Sequence, residues 1–149
     1  MPNKKVFFII QFLIFFLWMP AAHAATISLL SQTRSFGIGQ EFSVDIILST
    51  EDAFINASQA TIRFPVGILE LTAVDKTGSI FGFWPDEPKI SNEDGTLMFT
   101  GGTTKGISGN SLQLLKMKFK AKGAGSADLT IHDAVVTASD GKGTNVLST

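Results

Sequence analysis

Two stretches of strict alternation constrain this chain more than any other feature. Phe42, Val44, Ile46 and Leu48 are interleaved with Glu41, Ser43, Asp45 and Ile47. Leu115, Met117, Phe119 and Ala121 are interleaved with Lys116, Lys118, Lys120 and Lys122. A period of two puts every apolar side chain on one face of an extended strand and the polar ones on the other. Helical periodicity is nearly absent after residue 25. Leu112 and Leu114 sit in the opposite phase to Leu115–Ala121, so a bulge is predicted near Leu114–Leu115.

Shorter candidate strands fill the rest: Thr26–Leu30, Ala57–Phe64, Ile68–Val74, Ser79–Phe83, Thr96–Thr100, Ala127–His132 and Ala134–Ala138. Phe54–Ala60 is the least strand-like stretch, and its residues are compatible with either a strand or a loop leading into Thr61–Phe64. Turn chemistry separates the candidates at Phe64-Pro65-Val66-Gly67, Asp75-Lys76-Thr77-Gly78, Asp94-Gly95, Gly101-Gly102 and Gly123-Ala124-Gly125. About nine short strands at this spacing predict an all-β sandwich or jelly roll.

The N-terminus follows different rules. Lys4 and Lys5 precede an apolar run from Val6 to Trp18, broken only by Gln11, and Ala22-His23-Ala24 supplies a small-x-small site. That is the build of a cleavable signal peptide over residues 1–24, with the cut between Ala24 and Ala25. The run spans 13 residues, short of the ~20 a membrane-crossing helix needs. One domain, 25–149, then remains, with the membrane met only during export. Losing Lys4 and Lys5 leaves ten basic residues against 13 acidic ones, a formal charge of −3. No basic excess is left for a nucleic-acid partner. The chain has no cysteine, so thiol catalysis and cysteine-based metal sites are excluded.

The order of motifs resembles a cohesin domain. Phe42-Ser43-Val44-Asp45-Ile46, Ile55–Phe64 and Ile68–Val74 are similar to its opening strands. Gly95-Thr96-Leu97-Met98-Phe99-Thr100-Gly101-Gly102 is similar to a later strand. So are Leu112–Gly125, with its Phe119-Lys120-Ala121-Lys122, and the ending Ala134–Asn145. The resemblance runs from about Ile27 to Leu147. It implies a nine-stranded jelly-roll sandwich of the superfamily that also holds cellulose- and chitin-binding modules, with one face binding a dockerin, a small calcium-loaded helical module. Where the family often carries a tyrosine–aspartate pair after the third strand, this chain has Phe64-Pro65, and it has no tyrosine.

Few residues offer chemistry. His132 is the one histidine beyond the signal segment, and its neighbour Asp133 falls on the opposite strand face. No Gly-x-Ser-x-Gly elbow is present. The acidic pairs Glu51-Asp52, Asp86-Glu87 and Glu93-Asp94 all fall in predicted turns, where they read as solvated charge. Neither an enzyme nor a cofactor is expected.

Two ligand-binding candidates stand out. In Ile80-Phe81-Gly82-Phe83-Trp84-Pro85, Phe81 and Phe83 share a face and are expected in the core. Trp84 falls in the opposite phase and is a candidate for stacking on a sugar ring. Lys116, Lys118 and Lys120, with Lys122, form a basic ladder that either attracts an acidic partner or simply keeps a strand edge solvated. The expected function is that of a secreted or cell-surface, non-catalytic module binding a dockerin-like protein or a polysaccharide, and so linked by family to polysaccharide breakdown. A structural or adhesive unit of a cell-surface assembly is the alternative.

Overall fold

A computed structural model describes residues 24–148. The predicted signal segment therefore falls, except for Ala24, outside the described residues. These fold into two antiparallel four-stranded sheets facing each other, with no helix among the described residues. The strands are β1 (Thr26–Ser31), β2 (Glu41–Ser49), β3 (Ile55–Arg63), β4 (Leu69–Asp75), β5 (Phe83–Ser91), β6 (Thr96–Ile107), β7 (Leu112–Ala121) and β8 (Thr130–Ala138). One sheet runs β1-β2-β7-β4 and the other β5-β6-β3-β8.

The two alternating stretches are the neighbours β2 and β7, paired from Glu41↔Lys120 to Leu48↔Leu112. The register shifts where Ile46 meets Leu115 and Ile47 meets Gln113, which leaves Leu114 as the extra residue. Leu114 and Leu115 are thus both fully buried although adjacent, as the phase change in the sequence requires. Their inner faces meet Ile55, Ile62, Leu97, Phe99 and Val136 from the other sheet. Each such side chain contributes about 1.5–3 kcal/mol on leaving water.

Five sequence expectations are corrected. The described residues form eight strands, and the place of a ninth is taken by Asn145–Ser148, which makes only isolated bridges, Thr137↔Asn145 and Ala25↔Leu147. The strand expected at Ser79–Phe83 begins at Phe83 and includes Pro85 and Pro88. Proline removes a ladder donor, and β5 tolerates two because it is an edge strand whose register breaks between Phe83 and Asp86 and again between Asp86 and Lys89. Asp86-Glu87 therefore lies on a strand. Gly101-Gly102 is the middle of β6, where a turn was expected, and Ala127–His132 and Ala134–Ala138 yield the single strand β8. Within β8, three steps from His132 to Val135 face two from Thr61 to Gln59, and Asp133 takes a φ of 51° to absorb the difference.

The glycine pair has a steric cause. A Cβ on Gly101 would meet the Phe81 ring at 2.4 Å and Trp84 at 2.8 Å on the inner side. A Cβ on Gly102 would meet the Phe83 ring at 2.6 Å on the outer side. Aromatic rings from β5 and the segment before it lie against β6 on both faces, and only glycine leaves room for them.

Candidate functional site

The lysine ladder lies on the outer face of β1-β2-β7-β4, with Lys118 and Lys120 exposed and Lys116 half-buried. Sheet order makes β7 an interior strand, so the ladder does not guard an edge. Register sets a carboxylate beside most of its rungs. Lys116 lies between Asp45 and Asp75, and Lys120 between Glu41 and Glu70. Lys116 Nζ is 3.7 Å from Asp45 Oδ1, and Lys118 Nζ is 3.7 Å from Asp75 Oδ2. Asp75 has its carboxyl held below the ordinary value, first by the Thr77 backbone N–H and hydroxyl, with Lys118 assisting. The face is a compensated checkerboard and not a basic patch. Lys122 lies just past β7, where its N–H donates to Ile68 O.

Trp84 is half-buried. Its ring stands edge-on to the buried Phe81, centroids 5.8 Å apart, and packs on the core. Lys76 Nζ lies 5.6 Å from the ring centroid and 2.6 Å from Glu87 Oε2. One side of the indole is therefore in the sandwich and the ring is approached by a cation from β4's exit turn. Phe83 reverses the expectation set for it: where a core residue was predicted, the residue is 46% exposed, with its ring over Gly102.

His132 is exposed and shares a hydrogen bond with Thr130 Oγ1 at 2.9 Å. Among the described residues no three His, Cys, Asp or Glu side chains are grouped to hold a metal ion. Ala24 is half-buried, and Ala25 is buried, its N–H donating to Val146 O at 2.7 Å.

The outer face of β5-β6-β3-β8 has a different character. Across its middle the register aligns Lys89, Met98, Thr61 and His132 in one row and Asp86, Thr100, Gln59 and Val135 in the next. Phe83, Gly102, Ala57 and Thr137 form a third. Met98 is 49% exposed. The two central strands thus present Met98, Thr100, Thr61, Gln59 and Ala57, all uncharged. Asp86 and Lys89 on β5 and His132 and Asp133 on β8 stand at the sides, and Arg63 at one end. A shallow depression of about 210 Å³ lies between Met98, Gln59 and Asp86. Alternation in Thr96–Thr100 already turns Met98 outward. Phe83 was hidden because Pro85 and Pro88 disguise its strand.

No protein-family model and no curated protein matches the chain. Solved structures do. The chain is similar to a cohesin of Clostridium thermocellum solved in a type I cohesin–dockerin complex, with a TM-score of 0.68 and 12% identity over 87% of this chain and 90% of that one. The sixth cohesin of scaffoldin B from Acetivibrio cellulolyticus, solved with a Cel5 dockerin, gives 0.66 and 17% over 85% and 93%. A cohesin module from a Clostridium perfringens family 33 glycoside hydrolase gives 0.64 and 16% over 83% and 89%. At such identities the likeness is one of fold, and the chain is a cohesin-like jelly-roll sandwich.

Proposed function

We propose that this chain is an exported, non-catalytic binding module that docks a helical, dockerin-like protein on the outer face of β5-β6-β3-β8. The observation that carries this reading is the composition of that face. Met98 and Phe83 stand exposed in a field of Thr, Gln, Ala and Val, and the charges sit at its margin. An uncharged centre with a polar rim is the arrangement protein interfaces use, because central groups lose water completely and rim groups do not. The opposite face offers paired charges, which would have to be desolvated together. Cohesin modules of this fold solved with dockerins support the choice of partner. The signal-like N-terminus supports a site outside the cytoplasm.

Titration calorimetry with calcium-loaded dockerin modules tests this. Met98→Asp is expected to weaken binding by about 30-fold or more, the effect of losing a central contact worth about 2 kcal/mol. Lys118→Glu, on the other face, is expected to leave the affinity unchanged, and EDTA to abolish binding. Equal loss from both variants would sink the assignment of the face. Polysaccharide binding is the second reading, and its best flat ring is Phe83, whose exposure exceeds that of Trp84. Retention on insoluble polysaccharide that Phe83→Ala removes would favour it over a protein partner.

A further inference from the structure

At the end of the sandwich where β7 finishes, residues 122–129 cross from one sheet to the other and lead into β8. Five consecutive residues of that crossing, Gly123-Ala124-Gly125-Ser126-Ala127, have no side chain larger than a hydroxymethyl group. Such residues close over the end of a core without filling the space beneath them. Beside the crossing, β1 stops at Ser31 opposite Val44, so Phe42 on β2 lies beyond the end of β1. Residues 33–36 stand there instead and form a second lip.

Between the two lips lies a crevice of about 350 Å³. Its walls include Phe42, Val44, Ile68, Leu69, Ala127 and Leu129, each of them part of the core or packed against it. Its margin is polar and exposed: Thr33, Ser35 and Ser126 bring hydroxyls and Arg34 a guanidinium. Among the described residues no carboxylate lines the crevice, and Arg34 is in no salt bridge. The lysines of β7 differ in this, since Lys116 and Lys118 each have an aspartate at 3.7 Å. Apolar walls without neighbours forfeit dispersion contacts, and water placed against them finds few hydrogen-bond partners. A ligand recovers both losses if its body is hydrocarbon, and the lone guanidinium selects an anionic head over a neutral or cationic one. One water occupies ~30 Å³ in the liquid and a methylene about as much, so the crevice has room for a chain of about ten carbons.

We infer that this crevice binds a free aliphatic carboxylate of about ten carbons, its chain against Phe42, Leu69 and Leu129 and its carboxylate on Arg34. A slot for one chain with one cation at its mouth suits a free acid, whereas a two-chain lipid has no place for its second chain. The site is at the end of the sandwich and shares no residue with the outer face of β5-β6-β3-β8, so it stands or falls apart from docking on that face.

The test titrates soluble protein, expressed from the full chain, with hexanoate, octanoate, decanoate and tetradecanoate, each below its micelle concentration, by calorimetry. Affinity is expected to rise about fourfold per methylene from hexanoate to decanoate, the worth of burying each one. It should then level off, because the extra carbons of tetradecanoate stay in water. Decanol is expected to bind about threefold or more weakly than decanoate, for want of the charge. Arg34→Gln should bring decanoate down to the level of decanol and leave decanol unchanged. Arg34 is exposed, so its loss does not endanger the fold. Ala127→Leu fills the crevice and should abolish binding of both ligands without lowering the melting temperature. Should that variant fail to fold, the chain-length ceiling and the Arg34→Gln comparison still decide. Absence of saturable decanoate binding overturns the inference. So does an affinity that keeps climbing through tetradecanoate, the mark of adsorption to open apolar surface. Decanoate binding unchanged in Arg34→Gln, or retained in a folded Ala127→Leu, overturns it as well.

Discussion

Gly101 and Gly102 are adjacent on one strand and face opposite sides, and the same substitution should act differently at each. At Gly101 a new Cβ runs into Phe81, which is buried and has nowhere to go. Gly101→Ala is expected to cost about 1–3 kcal/mol, the usual price of overpacking. At Gly102 the obstacle is the outer end of Phe83, which can swing into solvent. Gly102→Ala should fall within about 1 kcal/mol of wild type, since a less flexible unfolded chain offsets the displacement. Urea denaturation of the two variants checks the contrast, and equal losses would contradict it. Asn92→Ala strips Leu71 of both its side-chain partners and is expected to lower stability by about 1–2 kcal/mol. Asp140 is also held below its ordinary pKa, first by the Thr144 hydroxyl and then by the Lys142 N–H, and it resembles Asp75 in this. A carboxylate whose folded pKa is depressed adds stability that is present above the unfolded value of 3.8 and lost as pH falls through the folded one. Melting temperature should therefore decline below pH 3.8, and Asp140→Asn should flatten that decline. A slope unaltered by the variant would show that Asp140 contributes nothing to it.

At the level of single elements, β8 depends on Asp133 holding a left-handed φ of 51° inside a strand. Aspartate tolerates that region and a β-branched residue does not. Asp133→Gly is expected to be neutral or slightly stabilising, and Asp133→Val to cost about 1–2 kcal/mol and to disturb the pairing of His132 with Thr61. Amide shifts of Thr61 and Gln59 would report the change. How far an element could be read from sequence follows the same physics. Strands β2 and β7 were legible down to the bulge at Leu114 because each buries one face and exposes the other. Strand β5 was not, since an edge strand can hold Pro85 and Pro88, which score as loop anywhere else. The glycines of β6 read as a turn because the reason for them lies in rings just before and at the start of β5, remote in sequence. Charge compensation of Lys116, Lys118 and Lys120 was equally hidden, as Glu41, Asp45, Glu70 and Asp75 come alongside only once β2, β7 and β4 are in register. The candidate binding face was half legible: Met98 points outward by alternation alone, whereas its neighbours Gln59 and Thr61 lie in or beside the stretch least like a strand.

For the molecule as a whole, the two sheets are joined by more than their shared core. Val146 N–H donates to Val136 O on β8, and Val146 O accepts from Ala25 at the start of β1. Ser148 N–H donates to Ala25 O. Asn145 Oδ1 accepts from both Val136 and Leu147, 3.1 Å in each case. This short segment is therefore a strap between β8 of one sheet and the first residue of the other, with Val146 and Leu147 packed on the core. Ending the chain after Thr144 removes three backbone hydrogen bonds and two half-buried apolar side chains. At about 1 kcal/mol per bond, with a further 1–3 kcal/mol from the side chains, the loss comes to roughly 4–6 kcal/mol. Domains of this size have roughly 5–15 kcal/mol in hand, so the shortened chain should fold but melt far earlier. Asn145→Ala keeps the strap and should lose only about 1–2 kcal/mol. Trp84, the one tryptophan beyond residue 24, lies in the β5-β6-β3-β8 sheet and reports its packing by fluorescence, while circular dichroism reports both sheets. If the strap couples the sheets, the two signals coincide during unfolding of the wild type and separate in the shortened chain. Coincident transitions in both proteins would leave the core alone responsible for cooperativity.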